Sequence, residues 1–320
     1  MRKKLRYLLY MLRIRRIEFR IAEIPILVIP LMLLLRDTAP FKTFTFWEGI
    51  FVFFLLFAFG DMINCLADRD LDAVYKPHLS EAVYGLGVGF VTFQVIASAL
   101  LALALTAHLA WQLNRWLLVP MVAIGLLLGA AYSVKPLQLK GRGLAQVFCL
   151  WLIIFVGPML FIGLLVSARP SPSVLAFAAA FGALQMGIVL VNTAEDYPED
   201  LEAHIRTSIV SLGLHRGIAL AFWLTLIGAV GAVVTLLDLF RLRSVGTTWF
   251  PLLLPAVIAC AYVLLAIWKL NRTIGHQSLA VAIQTVKVAA RRVPIWLTVV
   301  AWTMLGATCV IFIAERQGLT

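Results

Sequence analysis

Residues 47–72 read WEGIFVFFLLFAFGDMINCLADRDLD. An apolar run of membrane-spanning length gives way here to three aspartates in five positions, Asp68, Asp70 and Asp72. Carboxylates are among the costliest groups to hold near hydrocarbon, so acids at the end of such a run need a partner or a purpose. The stretch is typical of its surroundings. The chain has 320 residues, of which 62% are hydrophobic and only 13% charged. Soluble globular chains carry about 25% charged residues. Apolar runs near the ~20 residues needed to cross a bilayer recur from end to end. The fold class that follows is an all-α membrane protein. Transmembrane barrels need short segments of alternating polarity, which are absent from the sequence.

Counting apolar runs and their polar breaks gives nine spans in one bundle, near 20–36, 45–64, 84–108, 116–133, 144–166, 172–194, 209–236, 248–268 and 294–314. With a cytoplasmic N-terminus, twenty of the 27 Lys and Arg residues fall on the inner side and seven on the other. That excess is what the positive-inside rule requires. The opposite-side seven are Arg36, Lys42, Arg115, Arg169, Arg241, Arg243 and Arg316. Residues 1–19 read as a basic cytoplasmic segment and residues 20–320 as the nine-helix domain. The N-terminal segment has no short apolar core followed by a small-residue cleavage site, so it reads as retained. Two readings fit its YLLYMLRIRRIEFRI: a basic amphipathic helix on the membrane surface, or a disordered orientation signal. The net charge of +11 lies mostly beside spans, where anionic lipid headgroups account for it better than nucleic acid. Cys65, Cys149, Cys260 and Cys309 form no CxxC pair and read as small buried hydrophobes.

The acids are distributed unlike the bases. Ten of the sixteen Asp and Glu residues sit in two inner loops: Asp61, Asp68, Asp70, Asp72 and Glu81 after the second span, and Glu195, Asp196, Glu199, Asp200 and Glu202 after the sixth. Within them Asn64, Asp68 and Asp72 are spaced four apart, and so are Asn192, Asp196 and Asp200 in NTAEDYPED. Residues at i, i+4 and i+8 share one helix face, so each triplet presents an amide and two carboxylates in one direction. Pro198 interrupts an ideal helix through the second triplet. Two oxygen-rich faces suit a hard divalent cation such as Mg²⁺, which retains open positions for water and substrate phosphates. A solvated acidic loop is the ordinary fate of one charge run. The same spacing twice, on the same side, favours a metal–phosphate site.

These motifs resemble those of the UbiA superfamily of intramembrane prenyltransferases. The resemblance covers nearly the whole chain: the span count, both aspartate motifs and the stretch GAAYSVKPLQLKGRGLAQ between them. In that stretch Tyr132, Ser133, Pro136, Leu137, Leu139 and Lys140 match the Tyr-Ser-x-x-Pro-Leu-x-Leu-Lys of chlorophyll synthases and archaeal lipid prenyltransferases. The resemblance implies that Asn64, Asp68, Asp72, Asn192, Asp196 and Asp200 bind Mg²⁺ and, through it, a prenyl diphosphate. It implies that Lys76, Lys135, Lys140 and Arg206, with Arg142, neutralise the diphosphate, and that Tyr132 steadies the allylic cation or orients the acceptor. The implied activity is transfer of an isoprenoid group to an unidentified lipophilic acceptor in the inner membrane, with the site loops cytoplasmic, in lipid or quinone biosynthesis. The sequence departs from the family pattern at His78-Leu79-Ser80, which stands where an arginine commonly follows the lysine. No histidine commits the site: His78 and His204 lie near the loops, His108 and His276 read as peripheral, and His215 as a helix cap. Two other readings remain: a transporter whose duplicated acids line an ion site, and a family member that binds lipid without turnover. The segment 278–292 reads as an amphipathic helix on the inner surface.

Overall fold

The computed structural model describes residues 2–35, 37–243 and 245–316; Arg36, assigned above to the outer side, lies outside them. Among the described residues every regular element is helical. Seven helices among the described residues are long and apolar enough to cross a membrane, and the chain is an integral membrane protein by that measure and by its composition. It divides into two compact units: residues 1–20 with 39–139, and residues 21–38 with 140–320.

The first unit contains α1 (Arg2–Arg13), α3 (Phe44–Tyr75), α4 (Pro77–Leu86), α5 (Val88–Leu113) and α6 (Leu118–Ser133). Helix α2 (Arg20–Leu34) belongs with the second unit from Ile21 onward, its first residue, Arg20, with the first. Thr43 starts α3 by accepting the Phe46 N–H on its hydroxyl. This helix does not stop where its polarity changes. Its 32 residues continue to Tyr75, past the expected end at residue 64. It stops because Pro77 disfavours a helical residue before it, and Lys76 turns the chain instead. Pro77 then occupies the first turn of α4, where its missing N–H costs nothing. The expected span from residue 84 is two helices, because Gly87 at φ 91° breaks the chain between α4 and α5. Phe53, Phe59 and Met62 of α3 pack with Val91 and Val95 of α5 and Val122 of α6 in the buried interior.

The N-terminal segment is helical over Arg2–Arg13, and the helix ends partway through YLLYMLRIRRIEFRI. It packs on α4. The Tyr10 ring lies so close to Gly85 that a Cβ there would fall 2.3 Å from it, and the Tyr10 hydroxyl donates to Glu81 at 2.6 Å. That bond raises the phenol's pKa above its usual value.

The second unit adds α7 (Leu144–Leu150), α8 (Gly157–Val166), α9 (Pro172–Thr193), α10 (Tyr197–Glu202), α11 (Ser208–Leu212), α12 (Leu214–Leu242), α13 (Leu254–Ile274), α14 (Leu279–Ala290) and α15 (Val293–Arg316). A π-helical stretch, Trp151–Val156, joins α7 to α8. Pro158 has no N–H to continue the ladder, and the Gly157 N–H reaches back to the Leu152 carbonyl. The expected span at 209–236 is interrupted at Gly213, φ 80°, and then runs on to Leu242. His215 lies in the first turn of α12, whose N-cap is Gly213, and a Cβ on Gly275, the C-cap residue of the helix Leu254–Ile274, would fall 3.1 Å from its Nε2. His108 is exposed, and its Nδ1 lies 2.9 Å from the buried Glu48 carboxylate. Cys65, Cys149 and Cys260 are buried and Cys309 partly so, all four as free thiols, in agreement with the expectation.

Helices α9 and α12 approach most closely through small residues. Lipid tails are as apolar as leucine, so helices in a membrane gain from close backbone packing more than from burial as such. A methyl group built on Gly228 falls 2.1 Å from the Leu184 nitrogen and 2.8 Å from the Ala180 oxygen; one on Gly187 falls 2.3 Å from the Thr225 hydroxyl. Gly228→Ala is therefore expected to destabilise the protein by about 1–3 kcal/mol, the usual scale of overpacking. Thermal unfolding in detergent measures this, with Gly306→Ala, which meets open space, leaving the midpoint no lower.

Candidate active site

The first triplet is built on one rigid rod. At ~1.5 Å per residue α3 extends ~48 Å against a hydrocarbon layer of ~30 Å, so its C-terminal turns carry polar side chains beyond the apolar stretch. The acids from Asp61 to Asp72 thus lie on a helix, not in a loop as the polarity pattern suggested. Asn64, Asp68 and Asp72 stand on successive turns of one face. Asn64 and Asp68 are partly exposed, and Asp72 is 8% exposed. The Ser133 hydroxyl donates to Asn64 Oδ1 at 3.2 Å, which ties the end of α6, and Tyr132 beside it, to the triplet. The Lys76 N–H donates to the Asp72 carbonyl at 2.8 Å, so this lysine follows directly at the elbow closing α3.

The remaining acids of this stretch have structural partners. Arg20 forms an ion pair with Asp61, and the Tyr84 hydroxyl of α4 donates to Asp70. Asp70 is exposed and points away from the face shared by Asp68 and Asp72. In α4, His78 is exposed while Leu79 and Ser80 are buried.

The second triplet is not one helix face. Asn192 lies in the last turn of α9, which ends at Thr193. A turn over Ala194–Asp196 follows, and Asp196 is the N-cap residue of α10 with Pro198 in its first turn. Pro198 cannot donate to the Ala194 carbonyl, so the i→i−4 ladder ends there. Asp200 sits on α10, its N–H bonded to the Asp196 carbonyl at 2.8 Å. The Asp200 carbonyl accepts the Ile205 N–H at 2.8 Å, which folds the end of this loop back on its start. Lys287 of α14 lies 3.6 Å from Glu199, so the amphipathic helix expected at 278–292 is present and touches this loop.

The Lys140–Gln146 segment docks against the same loop. Lys140 is 8% exposed on a short 3-10 turn. The Gly143 N–H donates to the Arg206 carbonyl at 2.9 Å. Gly143 has φ 58°, and a Cβ there would lie 3.2 Å from the Ser211 hydroxyl. Gln146 Oε1 accepts both the backbone N–H and the hydroxyl of Ser208, each at 2.8 Å. Thr207 caps α11 through its side chain. Gln146 and Ser208 were given no role in the sequence reading. A glutamine two residues into an apolar helix is the only sign of this network that sequence offers. Lys135, Arg142 and Arg206 are exposed.

The donor set fits Mg²⁺ in kind: amide and carboxylate oxygens, with no thiolate or imidazole in either triplet. Among the described residues no group of three or more His, Cys, Asp or Glu side chains is gathered to hold a metal ion. A cation held by these residues takes further ligands from water and substrate oxygens, which is the common state of Mg²⁺.

Long apolar helices and two Asn-x3-Asp-x3-Asp stretches define a helical membrane protein with a repeated acidic motif. The chain belongs to the UbiA prenyltransferase family, whose model matches residues 24–288. No curated protein matches it in sequence. Among solved structures, a UbiA homologue from Archaeoglobus fulgidus bound to DMAPP and Mg²⁺ is 17% identical, with a TM-score of 0.61 over 91% of this chain and 98% of that one. The same homologue bound to GPP and Mg²⁺ gives a TM-score of 0.60 over 91% and 99%. A structure of digeranylgeranylglyceryl phosphate synthase is also 17% identical, with a TM-score of 0.63 over 95% and 99%. At such identity these likenesses establish the fold.

Gln146→Ala strands a buried N–H and a buried hydroxyl of Ser208, at a cost of about 1–3 kcal/mol. The expected result is faster hydrogen exchange through residues 203–211, with exchange in α3 unchanged.

Proposed function

We propose that this protein catalyses Mg²⁺-dependent transfer of an isoprenoid group from a prenyl diphosphate to a lipophilic acceptor within the membrane. The observation that carries the reading is the duplicated Asn-x3-Asp-x3-Asp pattern in a member of the UbiA prenyltransferase family. The Archaeoglobus fulgidus homologue, solved with two allylic diphosphates and Mg²⁺, supports it.

Asn64, Asp68, Asp72, Asn192, Asp196 and Asp200 are the proposed metal-holding residues. Bound Mg²⁺ supplies Lewis-acid stabilisation of the leaving diphosphate. Breaking the allylic carbon–oxygen bond leaves an allylic cation and adds charge to the diphosphate. Lys76, Lys135, Lys140 and Arg206 are the proposed counter-charges, fixed in advance of that development. Lys140 is the best placed to act strongly, since a buried ammonium is weakly screened. Tyr132 presents an aromatic ring beside Ser133, suited to steadying the cation or orienting the acceptor. The apolar helix walls exclude the water that would quench the cation.

The topology that goes with this reading has nine spans and a cytoplasmic N-terminus. The seven long helices are completed by α2 and α6, of 15 and 16 residues. Each is ~23–24 Å long, short of the ~30 Å hydrocarbon layer but extended by its flanking turns. Both aspartate motifs then face the cytoplasm, and residues 20–320 form the catalytic domain behind a basic segment at 1–19.

The test uses purified protein, labelled prenyl diphosphates of several chain lengths and pooled membrane lipids. Diphosphate release is expected to require Mg²⁺ and to fall at least about 100-fold in Asp68→Ala and in Asp196→Ala, since several kcal/mol of leaving-group stabilisation is withdrawn. Full activity in both variants would overturn the site assignment. The mass of the labelled product identifies the acceptor.

A further inference from the structure

Helix α1 has two apolar faces, and the fold uses only one. The docked face carries Tyr10 and leads to Ile14 just past the helix end, with Tyr7, itself 43% exposed, at its outer end. Tyr10 is 6% exposed and Ile14 is fully buried, while the Tyr7 ring lies 6.1 Å from that of Phe90 in α5. The segment is tied down beyond that point as well. The Arg15 guanidinium donates to Gln94 at 2.6 Å, and Arg20 is paired with Asp61.

Roughly half a turn around the helix stand Leu5, Leu8, Leu9 and Leu12, which are 69%, 56%, 44% and 38% exposed. The spacing i, i+3, i+4, i+7 makes them a continuous stripe. Lys4 lies at one edge of this stripe and Arg6 and Arg13 at the other, Lys4 and Arg6 exposed and Arg13 half-buried, and α1 contains no acid. Four neighbouring leucines in water would be a marked liability on a helix already anchored by its other face.

Two occupants would remove the stripe from water: a lipid leaflet or a second copy of the chain. A symmetric pair of α1 helices would set each cationic edge against the other. Anionic headgroups instead complement those edges. We infer that α1 is a surface-bound helix whose leucine face enters an anionic phospholipid leaflet, with Lys4, Arg6 and Arg13 against the headgroup phosphates. Such a helix lies in the interface plane, apolar side down, and its attraction to the surface is screened by salt. The inference stands apart from the catalytic reading.

Hydrogen exchange of the full-length protein in lipid nanodiscs tests it, read over residues 2–13. Discs containing phosphatidylglycerol should slow exchange there by about tenfold or more relative to phosphatidylcholine alone, the scale of a few cation–headgroup attractions, with the difference shrinking at high salt. The triple variant Leu5→Gln, Leu8→Gln, Leu12→Gln should abolish the protection, while α9 and α12 exchange as before. The variant Lys4→Gln, Arg6→Gln, Arg13→Gln, which keeps the leucines, should erase the difference between the two lipids. Equal exchange in both lipids would overturn the proposal. So would protection that follows protein concentration and appears together with a dimer.

Discussion

The structure depends on keeping charge out of hydrocarbon while holding it rigidly beside hydrocarbon. Backbone groups in a bilayer must bond internally, which leaves helices as the economical way through. A helix also has stiffness to spare once it emerges. In α3 that stiffness is used directly: the same hydrogen-bond ladder that spans the apolar stretch continues through Asn64, Asp68 and Asp72. The triplet inherits its orientation from the span. A flexible loop would have to spend conformational entropy to fix three side chains, about 1–2 kcal/mol per backbone residue ordered.

Around this rod the other acids act as fasteners. Asp61 takes Arg20, Asp70 takes the Tyr84 hydroxyl, and Glu81 takes the Tyr10 hydroxyl. Each contact joins α3 or α4 to a different part of its unit. At the protein surface such pairs contribute modestly one by one. Their value here is geometric, because they fix the rotation of α3 and the seating of α4 just after Lys76. The same principle operates in the second unit, where Glu199 faces Lys287 beside Asp200. Acids that looked like one undivided charge run therefore separate by helix face, with Asp61 and Asp70 turned to partners on other elements and Asn64, Asp68 and Asp72 sharing one face.

What sequence could and could not reveal follows from these contacts. The face shared by Asn64, Asp68 and Asp72 was readable because no proline or glycine interrupts residues 61–75. The helix end was misread because hydropathy marks where polarity changes, whereas a helix ends where its backbone must. Pro77 was the better signal. The breaks at Gly87 and Gly213 were invisible to an apolar count, since leucines or valines adjoin both. At those positions a positive φ, which glycine tolerates, does the breaking. Least readable was the docking of 140–146 on 205–211. Gln146 and Ser208 lie 62 residues apart, and neither forms a pattern with its neighbours. In the first aspartate stretch, by contrast, every supporting residue of the helix itself is local.

The duplicated motif is therefore supported in two physically different ways. The first triplet is held by continuous helix, so its geometry is as stable as the span beneath it. The second is held by a turn at Pro198, a short helix and a returning loop closed by the Ile205–Asp200, Gly143–Arg206 and Gln146–Ser208 bonds. A short helix is marginal alone and takes its stability from tertiary contacts. Local opening is governed by the number and burial of such contacts, which places the second half nearer the low-stability end of the molecule. Identical spacing in sequence has produced one triplet carried on a single helix and one spread over a helix end, a turn and a short helix.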